Sequence, residues 1–392
     1  MNKLKKLIMM AQQEDVPYLC IESLEDGMQI SLSDNGYSES VEYSFDKLRW
    51  NVLPAGMFTP EANTGTKIYL RGGLTPHCAL KDSGTGAGID ADIANSKGIG
   101  QFTISKKCNL SGTPCSLIFK DKVSSYSYIS GLHCAFARLF KGTPVVNVLN
   151  PDFLPIKNLS QCCFYQMFAN CMELEDADLE IPSTEQTSVV TTRAYYYMFY
   201  NCSKLRQGIR RLNHAMGSYT CQGMYYNCSK LERGTDITTE NRASTEAIYG
   251  MYYSCYNLVN PPIINITGGE ANFAWDSFRN CTSLQKTPII RGSFLITRNW
   301  LYAFMGCKSL KEVWWLPLHA PKQESNAQWL DNVASEGTVY LNKNITWNPE
   351  NYRNGSYTTN SSGESVKITW GFPANWAIKY CDPVTLEVKD SK

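Results

Sequence analysis

The chain has almost no charge of one sign to work with: 37 Lys and Arg stand against 36 Asp and Glu in 392 residues. A general nucleic-acid binder carries a basic excess or a basic stripe to meet the phosphates. Neither is present, so nucleic acid is not an expected partner. Long apolar runs are missing as well. Near the N-terminus a basic start (Lys3, Lys5, Lys6) is followed by only five apolar residues, Leu7 to Ala11, before Gln12-Gln13-Glu14-Asp15. A secretory signal needs an apolar core of roughly 7–15 residues, and a bilayer crossing needs about 18. The expectation is a chain made in a reducing cytosol, without a signal peptide and without membrane insertion.

Paired ligands are also scarce. The four histidines, His77, His133, His214 and His319, stand far apart, with no His-x-x-x-His among them. Cys162-Cys163, and Cys108 with Cys115, lack the Cys-x-x-Cys spacing of a zinc site. Gly84-Thr85-Gly86-Ala87-Gly88 has the composition of a phosphate loop without its Gly-Lys-Ser/Thr ending. No metal, cofactor or catalytic constellation is expected. Asp176, Asp178 and Glu180 alternate along one strand and share a face, either as catalytic carboxylates or as a solvated acidic patch.

What is abundant is apolar and aromatic: 43% hydrophobic and 12% aromatic, against 19% charged. That composition excludes a disordered chain, and the length implies two or three structural units. The fifteen cysteines invite a disulfide framework, but an odd total leaves at least one unpaired in a monomer. Six of them instead mark a repeat. Cys171, Cys202, Cys228, Cys255, Cys281 and Cys307 are spaced by 31, 26, 27, 26 and 26 residues. Three residues before each stands an aromatic (Phe168, Phe199, Tyr225, Tyr252, Phe278, Phe304), and three after stands a leucine (Leu174, Leu205, Leu231, Leu258, Leu284, Leu310). Asn170, Asn201, Asn227 and Asn280 directly precede four of the cysteines, with Ser254 and Gly306 at the other two.

Aromatic, cysteine and leucine three apart predict one face of a helix or 3₁₀ turn. A unit of about 26 residues cannot bury such a face alone; stacked copies bury it continuously. Asn suits a turn, and the Asn-Cys-Ser/Thr sequons at Asn201, Asn227 and Asn280 are by-products of that turn. Short strands are expected after each leucine, as in Leu179-Glu180-Ile181-Pro182 and Val313-Trp314-Trp315-Leu316-Pro317. Phe140, 28 residues before Phe168, marks a degenerate first repeat.

These residues resemble a known family. Tyr-Met-Phe-Tyr-Asn-Cys-Ser-Lys-Leu (197–205 with its Tyr at 197), Phe-Arg-Asn-Cys-Thr-Ser-Leu (278–284) and Phe-Met-Gly-Cys-Lys-Ser-Leu (304–310) are similar to the BspA-type leucine-rich repeat. The Tyr-x-Met-Phe form resembles repeat proteins encoded by phages and prophages of Bacteroides-like gut bacteria. The resemblance covers roughly 180 residues and is more specific for fold than for function.

The expected architecture is α+β/mostly β: an N-terminal extension (1–16), a β-sandwich-like domain (17–123), a leucine-rich-repeat solenoid (124–316) and a β-rich C-terminal cap (317–392). The extension reads as a short amphipathic helix or as a solvated terminus. Residues 81–100 and 351–365 read as polar loops. Tyrosines crowd repeats two to four, and Tyr196, Tyr226, Tyr253 and Tyr256 are the candidate exposed strip, since exposed tyrosines serve protein and carbohydrate contacts.

The resemblance implies a non-enzymatic structural or adhesive protein of a phage virion, of head- or tail-fibre type. Its implied partners are capsid or tail proteins at one end and a host surface glycan or protein along the repeats, with a homo-oligomer expected. A bacterial cell-surface adhesin of BspA type is the alternative, and it requires an export signal. An enzyme acting on surface polysaccharide is a third reading, with only the available carboxylates behind it.

Overall fold

The computed structural model is mostly β, with 26% of residues in strands and 5% in helices. It describes residues 16–33, 40–78, 96–123, 127–129, 131–182, 191–239, 241, 243–292, 294, 298–359 and 362–389. The N-terminal extension up to Asp15 and most of the expected loop at 81–100 lie outside these residues. The chain divides into two compact units, Met1–Thr184 with Met198–Arg210, and Glu185–Tyr197 with Arg211–Lys392.

The first unit begins with short strands parted by turns: β1 (Leu19–Ser23), β2 (Ile30–Leu32), β3 (Val41–Ser44), β4 (Asn51–Leu53), β5 (Lys67–Gly72), β6 (Phe102–Ile104) and β7 (Cys108–Ser111). It continues through β8 (Ser127–Tyr128), β9 (Val145–Val148), β10 (Ile156–Asn158), β11 (Asp176–Leu179) and β12 (Gln207–Ile209). Eight of these share one sheet, in the order β12-β11-β9-β7-β1-β5-β3-β4. Neighbours from β4 to β7 are antiparallel and those from β7 to β12 are parallel. The expected boundary near residue 123 therefore falls inside a sheet. The reason is edge chemistry: β7 would otherwise present a row of unpaired N–H and C=O groups, and β9 covers them. β1 lies centrally, and Leu19, Ile21, Ile68 and Leu70 are fully buried along it and β5.

The repeat backbone is not the helical face that the three-residue spacing predicts. It is a ribbon of turns in which residues of positive φ recur every four positions, such as Tyr219 (60°), Gly223 (58°) and Asn227 (63°), then Glu246, Gly250 and Ser254. In the second unit the N–H groups of Tyr219, Cys221, Gly223, Tyr225 and Asn227 donate to the carbonyls of Thr245, Ala247, Tyr249, Met251 and Tyr253 one coil on. The intervening N–H groups of Thr220, Gln222, Met224, Tyr226 and Cys228 turn back to the carbonyl three residues earlier. An α-helix sends every N–H to its own fourth-preceding carbonyl and leaves none for a neighbour. This alternation gives each coil half a turn and half a ladder. The first unit repeats it: Cys134, Phe136, Arg138, Phe140 and Gly142 donate to Gln161, Cys163, Tyr165, Met167 and Ala169.

The turn residue before each cysteine has its explanation here. Asn170, Asn201, Asn227, Ser254, Asn280 and Gly306 all have φ between 60° and 79°, a region that only glycine and, at lower frequency, Asn or Asp enter routinely. Asn201 also donates from Nδ2 to Oδ1 of Asn170 at 3.1 Å.

Every aromatic, cysteine and leucine of the six-fold pattern is buried, at 1% exposure or less. In the first unit the rings of Phe102, Phe140, Phe168 and Phe199 stack in sequence at 5.3, 5.4 and 5.5 Å. In the second, Tyr225, Tyr252, Phe278 and Phe304 follow at 5.6, 5.1 and 5.1 Å. Each such ring contributes about 1.5–3 kcal/mol by burial and about 0.5–1.5 kcal/mol more by pairing. The two tyrosine hydroxyls need partners, and buried Thr235 supplies both: its hydroxyl meets Tyr225 Oη at 2.8 Å and its N–H donates to Tyr252 Oη at 2.9 Å.

The second unit carries β13 (Arg211–Leu212), β14 (Asp236–Thr238) and β15 (Ile264–Asn265) as one parallel sheet, then β16 (Glu312–Trp315) and β17 (Thr338–Asn342). β18 (Tyr357–Thr359) and β19 (Ser365–Lys367) form an antiparallel hairpin in the stretch expected as a polar loop. β16, β17 and β20 (Ala377–Cys381) run parallel, and β21 (Val388–Lys389) returns antiparallel. The expected boundary at 316–317 thus also falls within a sheet. One further coil follows Phe304, because Trp300, Tyr302, Phe304 and Gly306 donate to Ser325, Ala327, Trp329 and Asp331. Its sequence lacks the Asn-Cys pair that marks the others.

Candidate binding surface

In the second unit the residue after the core aromatic of successive coils faces outward. This position is held by Tyr226, Tyr253 and Arg279, all half-buried. The rings of Tyr226 and Tyr253 stack at 4.5 Å and are parallel to within 1°. The Arg279 guanidinium comes next, 5.8 Å from the Tyr253 ring centre and 5.5 Å from that of Tyr302. At these separations a cation over an aromatic face is attracted by the ring quadrupole.

Two residues before the core aromatic lies a second outward column: Tyr197, Gly223, Gly250, Asp276 and Tyr302, all with φ between 51° and 58°. Gly223 is required because a Cβ there would run into the Tyr197 ring. Tyr197 therefore lies across a gap in its neighbour and reaches Tyr226 at 6.4 Å. Asp276 accepts from Arg279 Nη1 at 3.1 Å. Burial raises its carboxyl pKa against the opposing pull of Arg279, and the hydrogen bond holds the guanidinium between the two rings. Further along, Trp275 meets Tyr249 edge to face at 5.4 Å and lies under Arg298 at 5.3 Å. Arg193 spans Tyr219 at 4.3 Å and Tyr196 at 5.8 Å.

Of the four tyrosines picked from the sequence, Tyr226 and Tyr253 are neighbours in this strip, and Tyr196 joins it through Tyr197 at 4.7 Å. Tyr256 is the most exposed, at 46%, and sits on the turn after the cysteine. Sequence reading missed Tyr197, Arg279, Trp275 and Tyr302. The signal was available in the register, because all four fall one residue after, or two or three before, a core aromatic.

Arg210 pairs with Asp178, and with Glu180 at 2.8 Å, so two of the three alternating acids form an ion-paired face. Burial raises the third, Asp176. His214 is buried, with Nε2 3.2 Å from Tyr195 Oη and Nδ1 2.9 Å from the Ala215 carbonyl. Burial lowers its pKa to about 4, so the ring is neutral at pH 7. All fifteen cysteines are thiols. Among the described residues no group of three or more His, Cys, Asp or Glu is arranged to hold a metal, and no helix is long and apolar enough to cross a membrane. A shallow cleft of about 430 Å³ in the second unit, between Asp331–Ser335 and Lys367–Thr369, is lined by polar residues such as Asn332, Asn354 and Thr369 and by apolar ones such as Val333, Ile368 and Pro373.

Comparison of the chain with protein-family models, with curated proteins and with solved structures finds no match.

Proposed function

We propose that this chain is a leucine-rich-repeat solenoid of BspA type that works as a non-enzymatic structural and adhesive protein of a phage virion, as part of a head or tail fibre. Its repeats face a host surface glycan or protein, and an end domain joins it to capsid or tail proteins in a homo-oligomer. The observation that carries this reading is the Tyr226–Tyr253–Arg279 row at repeat spacing, with Tyr302 of the adjacent column on the other side of the guanidinium. Such a row offers flat apolar faces with polar ends in a fixed array. Its side chains are held by one another and by Asp276, so little side-chain freedom is lost when a partner binds.

The test has two arms. Purified virions are fractionated and probed for this chain; its complete absence from particles would sink the reading. Arg279→Ala and Tyr253→Ala proteins are then compared with wild type for binding to host cells. A loss of about tenfold or more, corresponding to about 1.4 kcal/mol, is expected with folding intact. Unchanged binding in both variants would remove the strip from the proposal.

A further inference from the structure

Beyond β5 the chain reaches His77, whose N–H and C=O pair with Gly98 across an antiparallel bridge. One residue on, the sulfur of Cys78 lies 2.8 Å from that of Cys134, 56 positions later in the sequence. Cys134 is a positive-φ residue at the start of the first coil, and its N–H is spent on the Gln161 carbonyl. The two sulfurs are brought together by main chain on both sides. Ile99 N–H donates to the Ala135 carbonyl at 3.3 Å, and Gly98 packs so closely that a Cβ there would lie 2.8 Å from the Cys134 carbonyl oxygen. Ser96 Oγ stands 3.7 Å from Cys78 Sγ. The repeat cysteines differ in kind. Cys255, Cys281 and Cys307 are wholly buried and commit their S–H groups to main-chain carbonyls. Cys78 is half-buried, while Cys134 beside it is buried.

We propose that Cys78 and Cys134 are a disulfide-forming pair that closes when the protein meets a small-molecule disulfide such as oxidised glutathione, clipping the chain beyond β5 to the first coil. A disulfide bond is about 2.05 Å long, so closure needs less than about 1 Å of sulfur movement. Cys78 loses its proton to solvent, and its sulfur attacks one sulfur of the oxidant, releasing the first small thiolate. Cys134 then loses its proton and attacks the Cys78 sulfur, which expels the second small thiolate. Two protein S–H bonds and one small-molecule S–S bond are lost; one protein S–S bond and two small thiols are formed. The two released protons end on the small thiols. Exposure sets the order, because Cys78 is half-buried and Cys134 is buried. A third thiol, Cys162, lies beside Cys134 and is the natural competitor for it.

The full-length chain, purified in dithiothreitol, is exchanged into oxidised glutathione and digested without reduction for peptide mass mapping. The expected product is a linked Cys78–Cys134 peptide pair, two hydrogens lighter than the two thiol peptides. Its formation should raise the Tm by roughly 5 °C or more relative to the reduced protein, since the bond closes a long loop. A Cys78→Ser protein is expected to match the reduced wild type in Tm and to gain nothing on oxidation. A Cys134–Cys162 link, a persistent glutathione adduct on Cys78, or unreacted thiols at both positions would each overturn the proposal.

Discussion

The thiol of Cys281 donates to the main-chain carbonyl of Tyr252, one coil earlier, at 3.1 Å. That carbonyl already accepts the N–H of Cys255 from its own coil, so both of its lone pairs are used. The relationship recurs: Cys171 on Phe140, Cys202 on Phe168, Cys255 on Tyr225 and Cys307 on Phe278, at 3.0–3.1 Å. This is why cysteine holds the position. It is small and soft enough for the dry interior, and it carries a donor aimed at a carbonyl that would otherwise be half-satisfied. The thiols stay protonated to serve as donors, and burial pushes Cys171 up to about 11. In the first coil Thr143 stands three residues after Phe140, and its hydroxyl turns back within its own coil to the Phe140 carbonyl at 2.7 Å, which also accepts from Cys171.

Replacing Cys281 with Ala removes the donor and leaves a sulfur-sized void. A loss of about 1–3 kcal/mol is expected from these combined effects, read as a lower denaturant midpoint. An unchanged midpoint would show that the S–H bond contributes nothing.

Asn227 has a φ of 63°. Asn227→Ala forces a Cβ-bearing residue without a local polar group into the left-handed region, at a cost of about 1–2 kcal/mol. Asn227→Gly, free of that penalty, should stay within a few tenths of a kcal/mol of wild type. Thermal unfolding of the pair separates the two. Equal losses would mean that the side-chain amide, not the backbone angle, is what the position needs.

His214 makes stability depend on pH. Its folded pKa is depressed to about 4 by burial, whereas an unfolded histidine titrates near about 6.5. Below that value the unfolded chain takes up a proton that the folded protein refuses, so stability is fully present above about pH 6.5 and declines as pH falls toward 4. Across that window the loss amounts to about 3 kcal/mol. Denaturation midpoints at pH 7 and pH 5 should differ in wild type and converge in His214→Gln. A difference that persists in the variant would assign the effect elsewhere.

Leu231 is fully buried three residues after Cys228. Leu231→Ala should cost about 2–5 kcal/mol and raise amide exchange in the neighbouring coils of the second unit, whose N–H groups donate to carbonyls of the next coil. A loss well under 1 kcal/mol would contradict its burial.

Much of this protein was legible in its sequence. Six aromatics, six cysteines and six leucines in fixed register announce a stacked repeat, because each residue type answers a local demand that every coil repeats. The aromatic fills the interior, the cysteine is small and apolar, and the residue before it tolerates a turn. The outward strip was half legible: Tyr226 and Tyr253 stood out by type, whereas Arg279 and Trp275 were hidden because they break the run of tyrosines while keeping its register.

What the sequence alone determined was periodicity and burial, which follow from residue size and polarity at each position. Tertiary structure decided the rest. The three-residue spacing fits a helix, yet the backbone became a ribbon of turns, because half of its N–H groups find better use on the next coil. The strands before and after the repeats looked like separate domains, yet β7 pairs with β9 and β16 with β17. Open strand edges are satisfied by whichever strand lies alongside, and no pattern within a single segment records which strand that will be.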